Sequence, residues 1–269
     1  MDIQNQLNEV FVALQAKRAL VHHITNYVTV NDCANVVLAI GASPIMADEI
    51  DEVAEMVGIC DALVLNIGTA NERTLASMVE AGKAANAKGI PVVLDPVGVG
   101  ATSFRKKSVA ELMNAISFSI IRGNMAEIKT IAGLESKSAG VDSLEEESDG
   151  AIIASHLAKK LGCVIAITGK TDIVADTKEC YILENGDVAL TNVTGTGCMT
   201  TSLIGSFLGA SKKGLPSAIA GILTMSIAGE MADKSKGMGT FHTALIDRIS
   251  EMNYRTLIEK AKISLYKWE

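Results

Sequence analysis

Aromatic residues are scarce in this chain of 269 residues: they occupy 4% of positions, and there is one tryptophan. Proline is also rare, with 4 residues, whereas glycine occurs 23 times. Hydrophobic residues make up 48% and charged residues 20%, a balance that excludes a disordered chain and is typical of a dense globular protein. We expect one α/β domain covering residues 1–269.

The chain has no excess of basic residues, since its formal net charge is −7 and its pI is near 5.2. Nucleic-acid-binding proteins are more often basic, so we expect no nucleic-acid partner. Residues 188–211 and 214–229 lack charge but are rich in small residues, so we interpret them as buried helices and expect no membrane partner. Their apolar excess also suggests an oligomer interface.

Cysteine is present in an odd number and at wide spacing: Cys33, Cys60, Cys163, Cys180 and Cys198. No two of them are separated by only two residues, which excludes the usual spacing of a zinc site and argues against a disulfide framework. Residues 1–17 form an amphipathic helical pattern without the charged start and apolar run of a signal peptide. We therefore expect a cytoplasmic protein.

Short apolar runs alternate with helical stretches along the chain. The predicted buried strands are Ala62–Asn66, 90–95, 117–122 and 163–168, and the helical stretches include 72–88 and Met125–Ala132. This alternation predicts a largely parallel sheet with helices on both faces. Two further strands, Asp172–Ala175 and 179–183, precede Asn185 and Gly186, a strong hairpin signal, so we expect an antiparallel edge.

Three predicted strands end in or near residues suited to phosphate chemistry. In such sheets ligands bind beyond the carboxyl ends of the strands, where Asp95 and Arg122 lie. Glu127, just after the third strand, is a candidate to hold magnesium through water together with Asp95. Alternatively, Asn124 and Glu127 form a capping box, and Arg122 pairs with a carboxylate instead of a phosphate.

Several common nucleotide and hydrolase motifs are missing. Lys170 follows a glycine, but no other glycine stands at the distance that a P-loop requires. The dinucleotide fingerprint lacks its third glycine, and no G-x-S-x-G motif occurs. The adjacent His22 and His23 do not face one metal in a strand or a helix.

The segment around Gly195, Thr196 and Gly197 leads into a helical run and exposes free N–H groups, which predicts an anion hole for a transferred phosphoryl group. The alternative is a glycine-rich helix start capped by threonine. Cys198 lies in the first turn, where a helix N-terminus lowers a thiol pKa below its usual ~8.5, so its thiolate is a candidate base. The alternative is a buried structural cysteine.

Together, these segments resemble the hydroxyethylthiazole kinase family of the ribokinase-like superfamily. The resemblance runs from about Val21 to Phe241. It rests on ordered segments at residues 23–28, 33–35, 41–46, 66–69, 94–98, 121–124 with Glu127, 167–169 and 193–198. A departure occurs at Met238, where the family usually has proline between two glycines.

The resemblance implies a ribokinase-like three-layer α/β/α sandwich. It implies ATP- and Mg2+-dependent phosphorylation of the hydroxyl of 5-(2-hydroxyethyl)-4-methylthiazole in thiamine salvage, and a homotrimer with active sites at subunit interfaces. The resemblance also implies roles for residues of this chain. Met46 and Gly195, with Asn26 beside them, match the thiazole-binding positions, and Arg122 and Thr168 match the ATP-binding positions. Asp95 and Glu127 match acidic residues near magnesium, and Cys198 stands where many relatives carry an aspartate base.

Three alternatives stay open at this point. The first is another ribokinase-like kinase acting on a hydroxymethylpyrimidine or a sugar, against which a cysteine at position 198 argues. The second is a non-catalytic ligand-binding relative. The third is an ATP-dependent hydratase or similar lyase on the same fold, which would release inorganic phosphate.

Overall fold

A sheet of mostly parallel strands runs through the computed structural model, which describes residues 2–134 and 143–267, without the side chains of residues 143–148. Within these residues the strands are β1 (Leu20–Ile24), β2 (Ser43–Met46), β3 (Ala62–Asn66), β4 (Val92–Asp95), β5 (Ile120–Asn124), β6 (Val164–Thr168), β7 (Asp172–Ala175), β8 (Cys180–Leu183) and β9 (Ile263–Leu265). Their order is β2-β1-β3-β4-β5-β6-β7-β8-β9. Pairing is parallel from β2 to β6 and antiparallel from β6 to β9, which confirms the predicted antiparallel edge.

Helices cover both faces of this sheet. They are α1 (Ile3–Ala16), α2 (Val30–Ala39), α3 (Val53–Val57), α4 (Glu72–Ala87), α5 (Ser103–Ala115), α6 (Met125–Ala132), α7 (Ser143–Leu161), α8 (Thr196–Ser211), α9 (Gly214–Met231), α10 (Met238–Ser250) and α11 (Tyr254–Lys260). Successive side chains of a strand point to opposite faces, so Val64 joins the apolar core beneath α1, α8 and α9, whereas Leu63 and Leu65 join the core beneath α4, α5 and α7. This confirms the predicted three-layer α/β/α arrangement.

Helix α9 is buried against α8. Among the described residues it is the one helix long and apolar enough to cross a membrane, and 83% of its 18-residue window is buried inside the fold. The two helices approach closely, since a Cβ on Gly221 would lie 2.5 Å from Cγ1 of Ile204. The apolar surfaces of both helices are thus largely covered by the chain itself, and the oligomer interface suggested for the two uncharged stretches stays a prediction. Within the first uncharged stretch, Val188–Asn192 forms a 3-10 helix.

The hairpin predicted at Asn185 and Gly186 is absent. Asn185 is buried, and its Nδ2 donates to the Lys260 carbonyl at 3.0 Å while its Oδ1 accepts from the Lys262 amide at 2.6 Å. These bonds bring the end of the chain alongside β8. The second antiparallel partner of β8 is therefore β9, from the C-terminal end, and not a strand that follows Gly186.

Candidate active site

The central parallel strands bring their last residues to one edge of the sheet. Asn66 ends β3 and lies in register with Asp95, which ends β4. Asn124 ends β5 in register with Thr168, which ends β6. Parallel strands point their carboxyl ends in the same direction, so the polar residues predicted at the strand ends do gather in one place.

Cys198 lies above this edge, in the first turn of α8. Its sulfur lies 3.2 Å from Nδ2 of Asn66 and 3.3 Å from Nδ2 of Asn26. Asn66 also donates to Oδ2 of Asp95 at 2.9 Å, and Thr201 donates to the same oxygen at 2.8 Å. The cysteine, the carboxylate and Asn26 were predicted site residues, whereas Asn66 was not singled out, although it ends a predicted buried strand.

Burial and charge raise the pKa of two groups in this cluster. Burial is the main cause of the raised pKa of the Cys198 thiol, and the charge of Asp95 adds to it, against hydrogen bonds from Thr29, Asn66 and Asn26. The expectation that the helix start lowers this pKa is therefore wrong. Burial also raises the pKa of Asp95 to about 6, despite the nearby positive charge of Arg122.

Asp95 and Glu127 are the two carboxylates predicted to lie near magnesium. The charge of Glu127 contributes to the raised pKa of Asp95, so each repels the other. Oδ1 of Asp95 is buried without a hydrogen-bond partner. Two repelling carboxylates, one with an unpartnered oxygen, fit a magnesium ion that keeps most of its waters. The described residues contain no cluster of three or more His, Cys, Asp or Glu side chains that would hold a metal without waters.

Glu127 is held in place by backbone amides. Its Oε1 accepts from the Gly98 amide at 2.7 Å and its Oε2 from the Asn124 amide at 2.8 Å. Oδ1 of Asn124 accepts in turn from the Glu127 amide at 2.9 Å, which completes the predicted capping box. The capping role and a role toward a hydrated cation are compatible, because each carboxylate oxygen has a second lone pair.

The start of α8 leaves several backbone amides free. Gly195 has a left-handed conformation, with φ of 85°, and provides no side-chain cap. The first backbone bond of the helix joins the Met199 amide to the Gly195 carbonyl at 2.8 Å, so the amides of Thr196, Gly197 and Cys198 have no helical acceptor. The Thr196 hydroxyl donates to the Leu190 carbonyl at 3.0 Å, so the alternative of a threonine cap is not realised.

Arg122 and Thr168 stand beside these amides. Nη2 of Arg122 donates to Oγ1 of Thr168, and its Nη1 lies 3.8 Å from Oδ2 of Asp95. A Cβ on Gly197 would lie 2.7 Å from Nη1, so the missing side chain makes room for the guanidinium. A cavity of about 540 Å³ opens here, lined by Arg122, Thr168, Gly197 and Lys170 among others. Its size suits a nucleotide-sized ligand.

Arg105, which sequence reasoning did not single out, ties together the loops that follow β3 and β4. Its Nη1 donates to the carbonyls of Ile67 at 3.1 Å and Val97 at 2.5 Å, and its Nη2 donates to the Gly68 carbonyl at 2.6 Å. A lone arginine in a helix carries no sequence signal for this role. The loops it joins are those that place Asn66 and the Gly98 amide.

Met46 lies apart from this cavity. It ends the edge strand β2, and 36% of its side chain is exposed. Large apolar residues that follow β1 and its partner β2 are exposed too: Tyr27, Val28 and Ile50. The structure thus connects Cys198 through Asn66 to Asp95, which lies 3.8 Å from Arg122, but it leaves Met46 outside the residues that line the 540 Å³ cavity.

Residues 11–255 match the Hydroxyethylthiazole kinase family. The chain belongs to this family. A hydroxyethylthiazole kinase from Clostridium beijerinckii is 53% identical to it over 96% of this chain and 95% of the relative. The structure of the hydroxyethylthiazole kinase from Pyrococcus horikoshii OT3 is 34% identical, covers 98% of this chain and 100% of its own, and superposes with a TM-score of 0.90.

More distant structures share the fold alone. A ribokinase-like superfamily protein from Enterococcus faecalis V583 is 12% identical, with a TM-score of 0.64 over 86% of each chain. The family match and these neighbours confirm the predicted ribokinase-like fold. The family is a kinase family, so the chain is a phosphotransferase by descent, and the resemblance stated from the sequence is confirmed.

Proposed function

We propose that this protein uses ATP to phosphorylate the hydroxyl of 5-(2-hydroxyethyl)-4-methylthiazole, giving 4-methyl-5-(2-phosphooxyethyl)thiazole for thiamine salvage. Family membership supports the reaction class. The observation that carries the proposal is the position of Cys198, which is hydrogen-bonded to the strand ends and adjoins the free amides at the start of α8. A proton acceptor and an anion-binding turn are what transfer of a phosphoryl group to an alcohol requires.

ATP occupies the 540 Å³ cavity in this proposal, with its phosphates toward the start of α8. Arg122 and the amides of Thr196 and Gly197 stabilise the negative charge on the moving phosphoryl group. Thr168 holds the guanidinium of Arg122 in that position. These groups are present before substrate arrives, so little reorganisation is needed in the transition state.

The substrate alcohol attacks the γ-phosphorus in line. Its O–H bond breaks and the proton passes to Sγ of Cys198; the new O–P bond forms while the bond to the bridging oxygen breaks, and that electron pair leaves with ADP. The raised pKa of Cys198 makes the thiol the main form at neutral pH, so the accepting thiolate is a minor population. Phosphoryl transfer through a loose transition state depends more on positioning than on the strength of the base.

Asp95 and Glu127 hold Mg2+ in this proposal. The bound ion neutralises charge on the phosphates. The support from this chain is the unpartnered, buried Oδ1 of Asp95 beside a second carboxylate. Glu127 contributes while still accepting from two backbone amides, which fixes its carboxylate in one orientation.

We further propose a cytoplasmic homotrimer whose active sites lie at subunit interfaces, with the thiazole bound by Met46, Gly195 and the neighbourhood of Asn26. The exposed side chains of Tyr27 and Val28, 78% and 56% exposed, support an interface at this end of the sheet. Light scattering coupled to size exclusion gives the mass in solution. Tyr27→Glu is expected to lower both the mass and the activity; a fully active monomer contradicts the shared site.

Mass spectrometry of a reaction with purified protein, ATP, magnesium and the thiazole tests the activity. Hydroxymethylpyrimidine and ribose run in parallel, and inorganic phosphate is measured, so that the rival kinases and the hydratase each have a distinct product. A phosphorylated thiazole that disappears on chelation supports the proposal. If a folded protein that binds ATP yields no phosphorylated thiazole, the proposal is refuted.

Two variants then test the role of Cys198. Cys198→Ala is expected to lower kcat while leaving ATP binding largely intact, because the sulfur is not needed to hold the phosphates. Cys198→Asp is expected to keep or raise kcat, since a carboxylate is also a proton acceptor. If both variants match the parent in kcat, Cys198 is not the base.

A further inference from the structure

Every hydrogen-bonding position of the Asn66 side chain is used. Its two amide hydrogens go to Oδ2 of Asp95 at 2.9 Å and to Sγ of Cys198 at 3.2 Å. Its Oδ1 accepts from Nδ2 of Asn26 at 3.1 Å and from the Gly68 amide at 2.9 Å. An asparagine has two donor hydrogens and two acceptor lone pairs, so none is left for a ligand.

Asn26 is saturated in the same way. Its Nδ2 donates to Oδ1 of Asn66 and to Sγ of Cys198 at 3.3 Å, and its Oδ1 accepts from the Thr29 amide at 3.1 Å and the Thr29 hydroxyl at 3.0 Å. Both asparagines are almost completely buried. Flipping Asn66 would set its oxygen against a carboxylate, and flipping Asn26 would set its hydrogens against the Thr29 donors. The orientation of both amides is therefore determined.

This network presents two N–H donors to one sulfur. A thiolate accepts such bonds more strongly than a thiol, because charge on the acceptor strengthens a hydrogen bond. We propose that Asn26 and Asn66 are positioning residues that stabilise the Cys198 thiolate and hold its sulfur at one place beside the strand ends. The part of this inference that concerns turnover rests on the proposed kinase reaction; the part that concerns the sulfur does not.

The surroundings of Cys198 explain why such a device is needed. The sulfur is half-buried, and burial together with the charge of Asp95 opposes its ionisation. Asn66 stands between the sulfur and the Asp95 carboxylate and donates one hydrogen to each. Asn26 adds a second donor to the sulfur and has no contact with the carboxylate. Hydrogen bonds from Thr29 and from both asparagine side chains lower the pKa of Cys198 and so offset part of the opposition.

Alkylation of Cys198 by iodoacetamide, followed from pH 6 to 10 by mass mapping of its peptide, tests the proposal without any substrate. Asn26→Ala removes the NH2 donor without adding a charge, whereas Asn26→Asp and Asn66→Asp keep the side-chain shape but replace the donor with oxygen and add a negative charge. A hydrogen bond to a charged group is worth about one pKa unit or more, so at pH 7.5 Asn26→Ala is expected to react roughly tenfold more slowly. The two aspartate variants are expected to react more slowly still, because their charge also opposes the thiolate. Asn71→Asp, at the N-cap of α4 where Asp caps equally well, is the matched control.

Asn66→Asp places a second carboxylate beside Asp95 and can prevent folding, which circular dichroism reveals. In that case Asn26→Ala decides, because Asn26 touches no carboxylate and alanine adds no charge. Unchanged alkylation of Cys198 in folded Asn26 variants overturns the proposal. A tenfold loss in Asn26→Ala with an unchanged control supports it.

Kinetics separate positioning of the sulfur from a merely structural role. In the protein that retains Cys198, Asn26→Ala is expected to lower kcat roughly tenfold. The KM for ATP is expected to stay unchanged, because Asn26 does not line the nucleotide cavity. In a Cys198→Ala background the same change is expected to have little further effect. If Asn26→Ala lowers kcat by the same factor with and without Cys198, the part of the proposal that concerns turnover is overturned. If the parent phosphorylates no thiazole, the proposed function is refuted, but the alkylation experiment still tests whether the asparagines stabilise the Cys198 thiolate.

Discussion

Gly195 offers a sharp test of how the start of α8 is built. Its φ of 85° lies in the left-handed region, and a Cβ there would lie 2.4 Å from Cγ2 and 3.0 Å from Cβ of Thr29. Real Cβ atoms do not approach other carbons this closely, so Gly195→Ala forces a displacement. Thr29 in turn donates two hydrogen bonds to Asn26, which touches the Cys198 sulfur.

The expected cost of Gly195→Ala has two parts. The left-handed conformation costs about 1–2 kcal/mol for a residue with a Cβ. The clash with Thr29 adds the cost of overpacking, typically about 1–3 kcal/mol. We therefore expect the free energy of unfolding to fall by about 3 kcal/mol in urea titrations, and kcat to fall as well because Thr29 and Asn26 move.

Gly162→Ala is the matched control. Gly162 has a φ of 67°, but nothing lies within 4 Å of its would-be Cβ, so only the conformational part applies. The difference between the two variants measures the clash. Equal losses of stability together with unchanged kcat in Gly195→Ala would refute the tight packing of this glycine on Thr29.

Three further predictions concern charged groups. Burial raises the pKa of Asp172 to about 6, so the unfolded chain loses this proton first as pH rises, and the free energy of unfolding falls between about pH 4 and 6. In urea titrations the free energy of unfolding of Asp172→Asn should therefore rise by about 2 kcal/mol relative to the parent between pH 4.5 and 7.5. If the two proteins show the same pH dependence of stability, this is contradicted. Arg105→Lys replaces a guanidinium that donates three hydrogen bonds to carbonyls, so we expect the free energy of unfolding in urea to fall by about 1–3 kcal/mol. An unchanged unfolding midpoint contradicts the proposed role of Arg105 in joining the two loops. Glu127→Gln removes a negative charge, so the magnesium concentration for half-maximal activity should rise, and an unchanged titration counts against the metal role.

The sequence predicts those elements whose local pattern agrees with their final surroundings. The strands Ala62–Asn66 and Asp172–Ala175 and the helix Met125–Ala132 occur at the predicted bounds. Strand β1 was not predicted because it carries two adjacent histidines, which look polar in sequence. In the fold both are buried, and Nε2 of His22 bonds with the Ala47 carbonyl at 2.8 Å.

The residues of the candidate site also fall into those whose positions the sequence predicts and those whose positions it does not. Asp95, Arg122 and Thr168 were predictable because strand ends in a parallel sheet meet at one edge. The bridging role of Asn66 was not, since its contact with Cys198 joins positions 132 residues apart. The direction of the pKa shift of Cys198 was wrongly predicted for the same reason: the helix start is visible in sequence, but burial and the distance to Asp95 are not.

The sulfur of Cys198 is held by chain segments far apart in sequence: its partners lie 132 and 172 positions earlier. Contacts of such long range form late, because large loops must close first. During synthesis Asn26, in the loop after β1, and Asn66, at the end of β3, leave the ribosome long before α8. Alkylation of this one thiol during refolding would therefore time the arrival of α8 on the sheet, and recovery of activity would mark the end of folding.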